Sequence, residues 1–188
     1  MIKIGITGSL ASGKTTASKI LSHKRGPLFC ADREVNQLYK NKTFNTLIRK
    51  KFKIPHNKPI KKSLKKILLN NKANIKKLEN IIHPLVRKKM REFTSQNKNK
   101  KKLFYEIPLL IESKLMKYFN VTIFIKAKKQ LRLKRFKSKY GDEKLFNFLN
   151  DKQIKDKKKA KLCDHTVVNE KNLNFLKKNL HAIISKYE

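Results

Sequence analysis

An α/β fold, with a five-stranded parallel sheet covered by helices on both faces, is predicted by three observations. Short β-rich runs alternate with helical stretches along the chain, the ordering a parallel sheet requires. The β-rich runs are continuously apolar rather than strictly alternating, as expected where both faces of a sheet are covered. A glycine-bearing turn, "GSLASGKT" at residues 8–15, joins the first run to the first helical stretch.

The candidate strands are residues 2–7, 28–31, 103–107, 121–125 and 165–168. A helix is expected over 14–22, with Ala17, Ile20 and Leu21 facing inward, ended by Arg25, Gly26 and Pro27. About seventy residues separate the second and third strands, far more than one crossover helix needs. A helical insertion at about 33–102 follows. Within it Leu64, Ile67 and Leu68, then Leu78, Ile81, Ile82, Leu85, Val86, Met90 and Phe93 recur every three or four residues. Pro84 is expected to kink or restart the second of these helices, and residues 94–102 to form a charged connector. The basic region 128–161 is helical, with too few apolar residues for a core of its own, and is a candidate lid. The closing helix carries Leu173, Leu176, Leu180, Ile183, Ile184 and Tyr187 on one packing stripe.

Composition sets the remaining bounds. A chain of 188 residues with 39% hydrophobic content supports one sizeable core, hence a single domain over 1–188. The formal charge of +36 is carried mainly by lysine and accompanied by abundant Asn and Ile. Residues with A+T-rich codons account for that balance ahead of nucleic-acid binding. The basic runs "NKNKKK" and "KDKKKAK" lack interleaved aromatics, so no specific nucleic-acid partner is expected, only salt-sensitive adhesion to polyanions. The first residues lack the pattern of a signal peptide and no apolar run approaches the roughly 20 residues of a membrane span, so a soluble, cytoplasmic protein with no membrane partner is expected. It is taken as a monomer or weak homo-oligomer. Cys30 and Cys163 read as two reduced, mostly buried thiols.

Residues 8–15 satisfy GxxxxGK[ST], between a buried strand and an amphipathic helix, the context that gives this pattern its meaning. Gly8 and Gly13 allow successive N–H groups to turn toward phosphate oxygens. Lys14 supplies a cation, the Thr15 hydroxyl a ligand for Mg²⁺, and the following helix its positive end. The expected ATP-binding set is Gly8, Ala11, Ser12, Gly13, Lys14, Thr15 and Thr16, on a P-loop NTPase-type three-layer fold. Ser9 and Ala11 occupy positions the pattern leaves free, tolerable where their backbone angles are ordinary for L-residues. Asp32, in "FCADREV", leaves the carboxyl end of the second strand, where ligands of such sheets gather. It can take a proton from an attacking hydroxyl, orient it or hold Mg²⁺ through water, or it can cap the helix that follows.

The segments "GITGSLASGKTT", "CADREVNQLY", "LENIIHPLVRKKM", "EIPLLIES" and "CDHTVVNE", in this order and at these separations, resemble the dephospho-coenzyme A kinase family from residue 4 to about 169. The resemblance implies transfer of the ATP γ-phosphoryl group to the ribose 3′-hydroxyl of dephospho-coenzyme A, the last step of coenzyme A synthesis. It also implies a nucleotide-binding core, a helical substrate-binding insertion and a lid. On matching positions Asp32 is the general base and Lys14 the phosphate-stabilising cation. Thr7, His83, Arg87, Pro108, Leu109 and Leu110 fall with Asp32 on the acceptor's side, and Asn169 is placed to touch the adenine. His83 reads equally as a helix-kink residue, and Asn169 as a turn residue. Glu106 and Glu112 are structural or hold metal through water. The family places arginines on the lid; Arg132 and Arg135 are the candidates, Arg135 the catalytic one, with Lys137 or Lys139 where arginine is usual. Two other readings are a nucleoside monophosphate kinase on the same scaffold, which leaves "HPLVR" and "PLLIES" unexplained, and an RNA-binding protein with an incidental phosphate loop.

Overall fold

A computed structural model describes residues 1–71 and 73–188, among which five strands and nine α-helices alternate. The chain divides into two compact units, residues 1–30 with 97–188, and residues 31–96. The first unit begins with β1 (Ile2–Gly8), α1 (Lys14–Ser22) and β2 (Leu28–Cys30). The second holds α2 (Ala31–Leu38), α3 (Lys42–Phe52), α4 (Ile60–Asn70) and α5 (Ala73–Gln96). The chain then returns to the first unit with β3 (Lys102–Glu106), β4 (Val121–Lys126), α6 (Lys129–Tyr140), α7 (Glu143–Asp151), α8 (Asp156–Leu162), β5 (His165–Val168) and α9 (Leu173–Ile184).

All strand pairs are parallel, in the order β2-β3-β1-β4-β5. β1 is therefore central, and the order reverses around it, the arrangement that opens a crevice at the carboxyl ends of the strands. Ile4 and Ile6 turn one face of β1 into a core shared with Ala17 and Leu21 of α1 and Leu176, Leu180 and Ile184 of α9. On the other face the fully buried Tyr105 ring lies 5.9 Å from Phe29, 5.9 Å from Tyr118 and 5.3 Å from Phe119. Two covered faces explain why β1, β3 and β4 read as largely apolar runs, whereas the edge strand β5 leaves Thr166 and Val168 exposed. Each expected strand is present, its ends displaced by at most one residue.

The second unit packs Phe44, Ile48, Phe52, Ile54 and Leu64 into its own core. Asn41 caps α3, its Oδ1 accepting from the Phe44 amide at 3.0 Å. The expected restart at Pro84 and the expected length of the connector are corrected. The helix runs unbroken through Pro84: proline's fixed φ is helical, so what Pro84 forfeits is one amide donor, and packing of Leu78, Ile81, Ile82 and Leu85 holds the helix across it. The connector is also shorter than expected, because Thr94, Ser95 and Gln96 are helical, with Thr94 Oγ1 donating to the Met90 carbonyl at 2.7 Å.

A carboxylate clips β4 to β5 just ahead of their ladder. Asp164 Oδ2 accepts from the Thr122 amide at 2.8 Å and from Thr122 Oγ1 at 2.6 Å, and the Asp164 amide donates to Thr122 Oγ1 at 3.1 Å. The Thr122 hydroxyl, then its amide, hold the Asp164 carboxyl below its ordinary value against partial burial. A depressed folded value means this stabilisation is full above the unfolded carboxyl range near about pH 4 and drains away as pH falls through the folded value. Asp164→Asn is expected to be less stable than the native chain at pH 7 and to lose less on acidification below about pH 4, measured by urea unfolding at a series of pH values.

Candidate active site

The phosphate loop leaves the central strand and closes on α1 within five residues, 9–13. Gly8 sits where a Cβ would approach the Ile125 carbonyl oxygen to 2.6 Å. Gly13 adopts the left-handed conformation, φ 93 and ψ 22, and a Cβ there would come within 2.2 Å of Asn169 Nδ2. The first-turn amides of α1 receive no side-chain cap from this residue, a helix start of the kind that can receive an anion. Ala11 departs from expectation: its φ of 57 is left-handed, a conformation that costs an L-residue about 1–2 kcal/mol. The alternation of right- and left-handed residues is what turns consecutive N–H groups inward, so the strain at Ala11 accompanies the cradle's shape.

The cradle is held from outside. Asn169, 8% exposed, donates from Nδ2 to the Ser12 carbonyl at 2.9 Å. Arg135 donates to the same carbonyl at 3.4 Å and to the Asn169 carbonyl at 3.1 Å. Arg132, 4% exposed, is a hub: Nε donates to the Ala127 carbonyl, and Nη1 to the Leu10 carbonyl at 3.3 Å and to Asn150 Oδ1 at 2.8 Å. Burial pulls the Arg132 pKa down, and Asp156, 3.7 Å away, opposes that shift; the guanidinium stays charged. Ser9 is not an idle position: it is buried and donates from Oγ to Asp156 Oδ1. The Leu10 amide donates to Gln153 Oε1 at 2.9 Å. Nothing in the residue pattern points to Gln153 and Asp156, which lie 143 and 147 residues from their partners.

Inside the cradle, Lys14 Nζ donates to the Ser9 carbonyl at 3.0 Å. Thr15 Oγ1 donates to Glu106 Oε1 at 2.5 Å. Glu106, at the end of β3 and 2% exposed, keeps its second oxygen buried without a hydrogen-bond partner. Thr7 Oγ1 donates to the Pro108 carbonyl at 3.1 Å, which sets the turn carrying Leu109 and the buried Leu110. Glu112 follows on that turn. Its Oε1 accepts from the Ile154 amide at 3.1 Å and pairs at 2.7 Å with Lys159 Nζ, which is fully buried and lacks hydrogen-bond alignment. Removing one partner of such a buried pair costs about 3–5 kcal/mol, whereas replacing both with apolar groups is often neutral or stabilising. Cys163 is buried one helical turn beyond Lys159, and burial pushes its thiol up to about 11; Cys30 is half-buried and also free.

The remaining expected site residues belong to the second unit. Asp32 is exposed and lies inside the first turn of α2, which starts at Ala31. The helix-cap position therefore precedes it, and the carboxylate sits among the first-turn acids that complement a helix's positive end. His83 and Arg87 stand one turn apart on α5. Burial lowers the His83 pKa, Glu79 raises it and Arg87 lowers it further, so the imidazole is neutral at pH 7 and Arg87 is the cation of the pair. Lys137 pairs with Glu143 at 2.9 Å, and Lys139 lies 5.2 Å from the Tyr140 ring. Among the described residues no group of three or more His, Cys, Asp and Glu side chains is arranged to hold a metal, and no helix is long and apolar enough to cross a membrane.

Comparison with known proteins bears on this geometry. The model of the family described as dephospho-CoA kinase matches residues 2–174. A dephospho-CoA kinase of Bartonella quintana is 36% identical over 186 residues, covering 96% of this chain and 95% of that protein. One from Rickettsia bellii is 32% identical over 189 residues, covering 100% and 98%. The solved structure of a dephospho-CoA kinase from Campylobacter jejuni superposes with a TM-score of 0.69 at 27% identity, covering 98% of this chain and 96% of that one.

The two left-handed positions of the loop should respond oppositely to substitution. Ala11→Gly relieves strain and is expected to raise stability by about 0.5–1 kcal/mol after the greater entropy of unfolded glycine is subtracted, with ATP affinity retained. Gly13→Ala adds strain and displaces Asn169, and is expected to weaken ATP binding by about tenfold or more. Chemical denaturation and calorimetric titration with ATP check the pair.

Proposed function

The chain belongs to the dephospho-CoA kinase family, and on that premise we propose that its loop and flanking acids transfer the γ-phosphoryl group of ATP to the ribose 3′-hydroxyl of dephospho-coenzyme A. The observation that carries the reading is the cradle itself: a strained, outwardly braced turn at the reversal point of a parallel sheet, with Lys14 inside it. In the proposed step the acceptor oxygen bonds to the γ-phosphorus as the bond to the β,γ-bridging oxygen breaks. ADP leaves, and Asp32 takes the hydroxyl proton. Such transfers ask a protein mainly to position and to neutralise. Lys14 and Arg135 supply fixed positive charge, and Gly8, Ala11, Ser12, Gly13, Thr15 and Thr16 supply the loop's backbone and hydroxyl donors.

Asn169 acts in this proposal through the loop, since its amide already serves the Ser12 carbonyl. Thr7, Pro108, Leu109 and Leu110 shape the acceptor side of the loop's unit. Arg87 receives a phosphate of the acceptor, and neutral His83 offers it a polar contact. Mg²⁺ fits the donor set: Thr15 Oγ1 and the orphaned Glu106 oxygen are hard ligands, reached directly or through water. When bound, the ion would supply positive charge to offset that of the triphosphate. The helices of residues 129–162 serve as the lid, and residues 31–96 as the substrate-binding insertion.

An acceptor screen tests the reading. Purified protein with Mg²⁺ and ATP is expected to phosphorylate dephospho-coenzyme A far faster than any nucleoside monophosphate; equal or absent turnover on the former defeats it. Asp32→Asn is expected to lower kcat by about 10²-fold or more with ATP binding retained. Glu106→Gln is expected to shift the Mg²⁺ concentration needed for half-maximal rate upward, read from a metal titration at saturating ATP.

A further inference from the structure

The fully buried Lys159 has no role in the chemistry above, yet it and Glu112 are costly groups to enclose. Their surroundings suggest what the enclosure accomplishes. Glu112 sits on the turn after β3, four residues beyond the Pro108 that accepts from Thr7. Lys159 sits on α8. Between them runs the stretch 153–159, which meets the phosphate loop through Gln153 on the Leu10 amide and Asp156 on the Ser9 hydroxyl. The same stretch meets Glu112 twice, through the Ile154 amide and through Lys159. Asp156 also faces the buried guanidinium of Arg132, which holds the Leu10 carbonyl.

We propose that Lys159 is a positioning residue, whose buried ion pair with Glu112 clasps residues 153–159 against the turn after β3 and so fixes the outer half of the phosphate loop. The Ser9 and Leu10 peptides form the strand-side part of the loop, and Lys14 donates to the Ser9 carbonyl. The clasp thus sets where the Lys14 ammonium rests. An apolar pair would fill the same space at lower cost but would not fix the register of α8 along the turn, because dispersion contacts lack the direction of a charge pair. The inference rests on the phosphoryl-transfer reading for its kinetic consequence alone.

The test uses the full chain carrying Lys159→Met with Glu112→Gln. This combination leaves no unpaired buried charge, and the new amide oxygen can still accept from Ile154. Three quantities are measured: thermal unfolding, hydrogen exchange of the amides of residues 9–13, and steady-state kinetics with ATP and dephospho-coenzyme A. The variant is expected to unfold near the native temperature and to exchange the Leu10 amide about tenfold faster or more, with the β1 and β4 amides unchanged. Its kcat is expected to fall about tenfold with both KM values within about threefold. A folded variant with native kcat overturns the proposal, whatever its exchange shows; native exchange at Leu10 overturns it equally. Should the double variant fail to fold, Gln153→Ala acts on the same amide from a half-exposed position, with the same expected exchange and kcat changes, and native values for either are again fatal. If the unaltered chain does not phosphorylate dephospho-coenzyme A, the acceptor reading fails, while the exchange measurement still decides whether the clasp exists.

Discussion

A phosphate loop must hold its N–H groups toward a space that none of its own side chains fills. That is an unfavourable arrangement for a peptide alone: the amides repel one another, Gly13 and Ala11 sit in left-handed conformations, and the first turn of α1 keeps its donors uncapped by this residue. The fold answers by gripping the loop's carbonyls instead. Asn169 and Arg135 take the Ser12 carbonyl, Arg132 that of Leu10 and Lys14 that of Ser9. Two of its amides are tied up as well, Leu10 on Gln153 and Ser12 on the Ser9 carbonyl, so the loop is fixed by both its acceptors and its donors.

The grip explains how the later part of the chain is organised. β5 ends one residue before Asn169, and the pairing of β4 with β5 sets Asn169's height against the loop, with its own amide bonded to the Lys126 carbonyl. α6 delivers Arg132 and Arg135 three residues apart, the first buried against Phe146 and the second half-buried beside Asn169. A region with few apolar residues is thereby fastened mainly by directed polar contacts. Such contacts are strong where water is excluded and small on the surface, where the exposed pairs of Lys89 with Glu92 and Lys137 with Glu143 contribute little.

Much of the fold was legible in the sequence because strands buried on both faces must be apolar throughout, and a helix packed on one face must repeat every three or four residues. The inner strands β1, β3 and β4 follow from the first rule, and α1 and α9 from the second, while β5 lies at the sheet edge with Thr166 and Val168 exposed. No restart occurs at Pro84 because a local rule, the missing amide donor, is outweighed when a long apolar face holds the helix together. Ala11 misled for a related reason: its left-handed angle is imposed by neighbours that satisfy the carbonyls around it. The loop's own residues could be listed from spacing, since Gly8, Gly13, Lys14 and Thr15 are parts of one local structure. The residues that brace the loop could not, because Gln153, Asp156 and Asn169 reach it only through the strand order.

By itself the sequence determined the fold class and the place of the GxxxxGK[ST] turn between β1 and α1, because these depend on local geometry and on the period of apolar residues. Tertiary structure alone decided that Arg132 is a buried brace while Arg135 stands beside Ser12 and Asn169, and that Ser9 is bonded rather than free. It also decided that Glu106 meets Thr15 while Glu112 meets Lys159. Two glutamates six residues apart in one segment look alike to any pattern. They differ because one ends a strand beside the loop and the other lies on the turn beyond it, and only the packed chain determines which buried partner each carboxylate meets.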